Sequence, residues 1–252
     1  MRNIIFFLIL LISTLFSACT EKKYTETDSE FVHIEAGSYT IGSPIDEKNR
    51  WSKGEEDIRT VTTDGFYISR TEITEKEYYS VIDADITFDE EAELPVVNVS
   101  WLDSLKYCNA RSRKEGLTEV YIIPDKEPLT IEDILIRKES NGYRLPTIDE
   151  WEIACRAKTR TTYYTGRKIT AKYENYNSSG RTRVASFRPN PFGLYDMSGN
   201  VCEWCWRNEW FAMYKGGCWN SKNISSLRSS SVGFTNELYQ ADYIGFRIIK
   251  PL

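Results

Sequence analysis

The chain of 252 residues, 41% hydrophobic and 27% charged, has an ordinary globular composition and the length of one large domain or two small ones. A formal net charge of -5, with no basic cluster beyond short mixed runs such as RSRKEG, argues against a nucleic-acid-binding face. Cys202-Glu-Trp-Cys205 is a C-x-x-C that could serve zinc or redox chemistry, but with no second C-x-x-C and His33 the single histidine, the four ligands of a closed zinc site are poorly offered. Non-haem iron lacks its histidines, and nothing in the sequence places a serine beside His33 for a Ser-His-Asp arrangement.

Taken in chain order, the first element is a leader. Arg2, the apolar run from Ile4 to Ile12 and the small residues before Cys19 read as a secretory signal over 1–18, too short for a stable membrane span. The ending Leu15-Phe16-Ser17-Ala18-Cys19 resembles a bacterial lipobox, which implies cleavage and lipid attachment at Cys19. Simple cleavage, with Cys19 as a bystander thiol, is the alternative. Residues 19–30 then form a lipidated N-terminus and polar tether, and 31–252 the folded domain. The expected location is a bacterial cell envelope, lipid-anchored to a membrane and facing the periplasm or exterior.

From Phe31 the pattern is short strands, with Gly37-Ser38 and Asp64-Gly65 as expected turns. Helices are expected at TEKEYYSVI after a threonine cap, at SWLDSLKYCNARSRKEG with Ser100 and Asp103 as cap and third residue, and at TIDEWEIACRAK with Thr147 and Glu150 in those positions. In the second, Trp101, Leu105 and Cys108 recur on one face. The chain then becomes irregular until YIGFRIIK, an expected closing strand. Such a fold needs aromatic anchors between its loops; seven Trp and sixteen Tyr supply them, although a carbohydrate or peptide surface uses the same residues. With Cys19 lipidated, Cys108, Cys155, Cys202, Cys205 and Cys218 remain, an odd number with one C-x-x-C.

Four stretches, LPVVNVSWLDSLKYCN, NGYRLPTIDEWEIACRA, NPFGLYDMSGNVCEWCW and KGGCWNS with LRSS and YIGFRI, together resemble the formylglycine-generating-enzyme or sulfatase-modifying-factor family. The resemblance runs from about residue 31 to the end and implies an α+β, C-type-lectin-like fold: a small twisted antiparallel sheet, a few helices and much irregular loop. Arg144, Pro146, Glu150 and Trp151 are expected to form a structural hub, Arg144 gripping a carboxylate with both ends of its guanidinium. Asn200 and Glu203 match positions the family uses for a structural calcium; an amide oxygen, carbonyls and a carboxylate are ligands that suit it. Asn175 resembles a ligand of a second calcium site whose other members find no match.

Active members hold Cu(I) between two cysteines separated by four residues and use oxygen to oxidise a cysteine of a sulfatase peptide. Placed on this chain, those positions are Ser221 and Ser226, whose neutral hydroxyls cannot replace thiolates for a soft monovalent ion. Copper and catalysis are therefore not expected. The expected role is a tethered binder of a peptide, glycan or envelope protein, with Trp219, Asn220, Ser221 and Arg228 lining the former active-site cleft. Two alternatives stay open: an oxidase with a rearranged copper site at Cys202 and Cys218, and a structural subunit of an envelope complex.

Overall fold

The computed structural model describes residues 30–50, 57–83, 93–206, 211–250 and 252; the signal segment, Cys19 and the tether up to residue 29 lie outside the described residues. Among the described residues, no helix is long and apolar enough to cross a membrane.

The three helices begin where the sequence signals put them. α1 (Glu75–Ile82), α2 (Trp101–Lys114) and α3 (Ile148–Arg156) are capped by Thr74, Ser100 and Thr147. In each, the cap hydroxyl accepts the backbone N–H three residues on, and the acidic side chain at that position accepts the N–H of the cap. Each reciprocal pair satisfies two otherwise orphaned amides and contributes about 1 kcal/mol. Trp101, Leu105 and Cys108 of α2 are fully buried, as their spacing predicts.

The strands are short: β1 (Phe31–Ile34), β2 (Gly37–Ile41), β3 (Arg59–Thr63), β4 (Phe66–Ser69), β5 (Tyr121–Ile122), β6 (Leu135–Ile136), β7 (Cys202–Cys205), β8 (Ala212–Lys215), β9 (Gly233–Thr235), β10 (Ile244–Phe246) and β11 (Ile249–Lys250). They form several small sheets rather than one: β1-β4-β11, β10-β7-β8-β9, and the pairs β2-β3 and β5-β6. All pairings are antiparallel except β10 with β7, which run parallel.

Two expectations are corrected here. Gly37-Ser38 is not a turn but the start of β2, paired with Thr63 and Thr62 of β3; the chain breaks instead at Glu35 and Ala36. YIGFRIIK is not one strand but two, β10 and β11, in different sheets, because Arg247 between them is drawn into the interior by Glu203. The Asp64-Gly65 turn does link β3 to β4, with Gly65 at φ +90°.

Strand alternation makes β7 a wall between two apolar clusters. Cys202 and Trp204 face one, with Trp101, Tyr107 and Phe246; Cys205 faces the other, with Trp151, Ile34, Phe66 and Ile68. The buried indoles are satisfied as well as packed: Trp101 Nε1–H donates to the Cys205 carbonyl at 2.9 Å and Trp204 Nε1–H to the Val99 carbonyl at 3.0 Å.

Candidate functional site

The expected hub forms. Arg144 donates to both oxygens of Glu150 at 2.7 Å, and the Trp206 amide donates to the Pro146 carbonyl at 2.7 Å. Trp151 is fully buried and donates its indole N–H to Glu203 Oε2 at 2.6 Å. The centre of this region was not legible beforehand: Arg247, fully buried, reaches both oxygens of Glu203, Nε to Oε2 at 2.6 Å and Nη2 to Oε1 at 2.7 Å. A bidentate pair of this kind, sealed from water, is costly to assemble and far costlier to break on one side.

The proposed calcium pair does not converge. Both Glu203 oxygens are held by Arg247 and Trp151, while the Asn200 side chain turns elsewhere. Its oxygen accepts from the Thr182 amide at 2.9 Å and the Asn175 amide group at 3.3 Å, and its Nδ2 donates to Glu72 Oε1 at 3.1 Å. Asn175 in turn staples its own loop, donating to the Gly180 carbonyl at 2.9 Å. Among the described residues, no group of three His, Cys, Asp or Glu side chains is placed to hold a metal ion. Asn200 and Glu203 therefore do not fit calcium as a shared ligand pair: a guanidinium already neutralises the carboxylate.

Next to them lies an acidic pocket of the core. Glu72 Oε2 is buried with no hydrogen-bond donor, and Asp196 is near enough for the two carboxyl groups to repel, so a proton held on one of them relieves the repulsion. Burial, then repulsion from Asp196 and Glu203, raises Glu72 well above the ordinary carboxylate range; burial lifts Asp196 to about 6.

The 216–231 loop leaves β8 through Gly216 at φ +92° and Gly217 at φ +65°. A Cβ on Gly217 would meet Leu227 Cδ2 at 2.6 Å, so only glycine allows the loop to fold back on itself. Beyond it the Cys218 amide donates to Ser221 Oγ at 3.0 Å, and Ser226 Oγ donates to Ser221 Oγ at 3.1 Å. The two hydroxyls at the expected copper positions thus face each other, and two neutral oxygens do not fit Cu(I).

A cavity of about 290 Å³ opens beside this pair, lined by Cys202, Tyr214, Ser226, Arg228, Val232 and Asn49 among others. Of the four residues expected to line the cleft, only Arg228 does so. It is buried, with Nη1 3.1 Å from Glu47 Oε1 and Nε donating to the Ser225 carbonyl at 3.1 Å, so it builds the wall rather than presenting a charge. Trp219 is half-buried, its indole N–H donating to the Asp242 carbonyl at 3.2 Å. Asn220 is exposed and accepts from the Cys218 thiol at 3.2 Å; Ser221 is engaged as described. A larger cavity of about 530 Å³, between α2 and the β5-β6 pair, is lined by Lys106, Arg113 and Tyr121 among others and shares no residue with the loop.

The C-x-x-C is not a chelating or redox pair. Cys202 and Cys205 are three apart on an extended strand, so they point to opposite faces and sit in different clusters. All five described cysteines are free and buried. Burial pushes the thiols of Cys108 and Cys205 far up and Cys155 up to about 12. Cys218 differs: a hydrogen bond from Cys202 holds its thiol below the ordinary value and raises Cys202 in turn.

The small sheets, the capped helices and the glycine-turned loop define a C-type-lectin-like α+β fold, and comparison with known families agrees. The family described as "Sulfatase-modifying factor enzyme 1-like domain" matches residues 16–252, and this chain belongs to it. Chaperone protein LppX of Paenibacillus barcinonensis is 29% identical over 97% of this chain and 96% of its own length. The formylglycine-generating enzyme of Mus musculus is 24% identical over 74% of this chain, which spans 59% of that enzyme. Among solved structures, Treponema denticola variable protein 1 shares the fold, with a TM-score of 0.73 at 21% identity over 88% of this chain and 95% of that one.

Proposed function

We propose that this chain is a non-catalytic member of the family, tethered to the bacterial envelope through Cys19, that holds an extended peptide segment of a protein partner in the cleft beside the 216–231 loop. The observation that carries the reading is the Ser226–Ser221 hydrogen bond of 3.1 Å, which leaves hard neutral oxygens where formylglycine chemistry needs thiolates. The likeness to a protein named as a chaperone, over nearly the whole of both chains, supports binding rather than turnover.

A peptide is favoured over a sugar by the rim. β9 is the edge strand of its sheet, next to the cavity, and beside it Phe211 and Phe234 are exposed with ring centroids 5.2 Å apart. Exposed aromatic anchors beside a cleft are a usual receptor for an extended chain. The test uses the full chain in detergent micelles. Fluorescent peptides with alternating apolar residues should bind by anisotropy and lose at least about tenfold in affinity in Phe234→Ala, a factor worth about 1.4 kcal/mol. The same protein, given Cu(I), air and a Cys-x-Pro-x-Arg peptide, should yield no aldehyde by mass spectrometry. Aldehyde formation overturns the non-catalytic reading, and binding of glycans in place of peptides overturns the choice of ligand.

A further inference from the structure

Cys202 and Cys218 come from adjacent strands of backbone. β7 pairs with β8 through Glu203 and Lys215, and the pairing continues outward: the Gly199 amide donates to the Gly216 carbonyl at 2.9 Å and the Trp219 amide to the Asn200 carbonyl at 2.8 Å. These bonds lock the backbone on either side of both cysteines. Within that frame both side chains pack into the same buried cluster, and each is close enough to shift the titration of the other, Cys218 down and Cys202 up. The other cysteines have no such neighbour role: the Cys155 thiol donates to the Met197 carbonyl at 3.5 Å and Cys205 to the Glu203 carbonyl at 3.6 Å. Cys108 lies fully buried in the core behind α2.

We propose that Cys202 and Cys218 are a redox-active dithiol, a site of reversible thiol–disulfide exchange at the wall of the cleft. Access comes from the 290 Å³ cavity, which Cys202 lines together with Tyr214, Ser226 and Arg228. In the exchange, one thiolate of the pair attacks a sulfur of an external disulfide, breaking its S–S bond and releasing a thiolate. The second cysteine gives up its proton, attacks the mixed disulfide and forms the Cys202–Cys218 bond, releasing the second external thiolate. The protein dithiol loses two electrons and two protons, and the external disulfide becomes two thiols. Sulfur carries out this displacement as thiolate, and two thiols held on neighbouring segments of backbone, one of them opening onto the cavity, are placed to complete it.

The bond has a local consequence. Cys218 Sγ lies 3.5 Å from Ser221 Oγ, and Ser221 is bonded to Ser226, so oxidation ties β7 to the turn that forms the cavity wall. The inference holds whether or not the cleft takes a peptide, because it rests on the thiols and not on the rim.

The test uses the full chain in micelles, equilibrated with set ratios of reduced and oxidised glutathione, quenched in acid, alkylated, digested and mapped by mass spectrometry. The expected result is a single internal cross-link between Cys202 and Cys218, reversed by excess reduced glutathione, with Cys108, Cys155 and Cys205 alkylated throughout. Cys202→Ser and Cys218→Ser should each leave the remaining partner as a glutathione adduct, and Cys205→Ser should leave the cross-link in place. Alkylation of both Cys202 and Cys218 at the most oxidising ratio, or a bond that uses Cys205 instead, overturns the proposal. The wild-type map decides it even if a variant fails to fold.

Discussion

The Glu203 hub and the 216–231 loop are neighbours in the chain with opposite polar logic. In the hub, charges are matched atom for atom: Arg247 on both oxygens of Glu203, fully buried, Arg144 on both oxygens of Glu150, partly buried, and Lys215 3.2 Å from Glu152, buried. In the loop, hydroxyls, amides and the Cys218 thiol bond to one another, and the charged pair there is the sealed Arg228–Glu47 contact. The hub therefore specifies the fold, since any loss on one side strands a buried charge. The loop specifies chemistry, and exchanging its half-buried hydroxyls, Ser221 and Ser226, should cost little in stability while changing which ligand is possible.

Four measurements sharpen or break that contrast. The largest change expected is a gain: in a Cys218→Ser background, Ser221→Cys with Ser226→Cys should take up one further equivalent of Cu(I) in competition with a chromogenic chelator. Failure to gain that equivalent would mean that the loop frame, not the ligand type, excludes the ion. Next, Arg247→Leu should cost about 3–5 kcal/mol in urea unfolding, because it leaves Glu203 buried and unpaired; a loss under about 1 kcal/mol would show that the hub is not a matched unit.

The third concerns pH. Glu72 and Asp196 have folded-state values raised above those of the unfolded chain. Their contribution to stability is therefore complete below the ordinary carboxylate range and is lost as pH rises through the raised folded-state values, about 6 for Asp196. Glu150 and Glu152 are lowered, burial being outweighed by Arg144 in one case and by Lys215 and Arg156 in the other. Their stabilisation is already complete above the ordinary range and adds no slope between pH 5 and pH 8. The melting temperature should fall between those values by on the order of 5 °C, and Glu72→Gln, which keeps an acceptor for Asn200, should flatten the fall. Glu77 and Glu174, also raised by burial, leave a residual slope. A variant with the wild-type slope would refute the account of a proton held on one of the two. The smallest effect is Thr147→Ala, expected to cost about 1 kcal/mol and roughly 2–4 °C through loss of the α3 cap; no shift by calorimetry would show that α3 is held by packing alone.

What the sequence disclosed follows the reach of each interaction. Thr74, Ser100 and Thr147 cap residues three positions away, and Arg144 meets Glu150 six positions away, so these were legible as local patterns. Arg247 finds Glu203 at a separation of 44 and Arg228 finds Glu47 at 181, and no window of sequence contains both partners. That is why YIGFRIIK read as one strand and why Arg228 read as a ligand contact. The family resemblance supplied the fold and the place of Ser221 and Ser226, but not their mutual hydrogen bond. Spacing in sequence also hides strand alternation, which sends Cys202 and Cys205 of the C-x-x-C to opposite faces of β7.

The sheet β1-β4-β11 places the last strand beside β4, with β1 on the other edge, and the cleft wall depends on Glu47 meeting Arg228. A chain emerging from a ribosome or an export channel therefore carries helices early but possesses no finished cleft until nearly its last residue is free. On the proposed role as a peptide binder, premature capture by a half-made receptor is then disfavoured by topology, and a fragment ending before β10 should be helical in part yet bind no peptide.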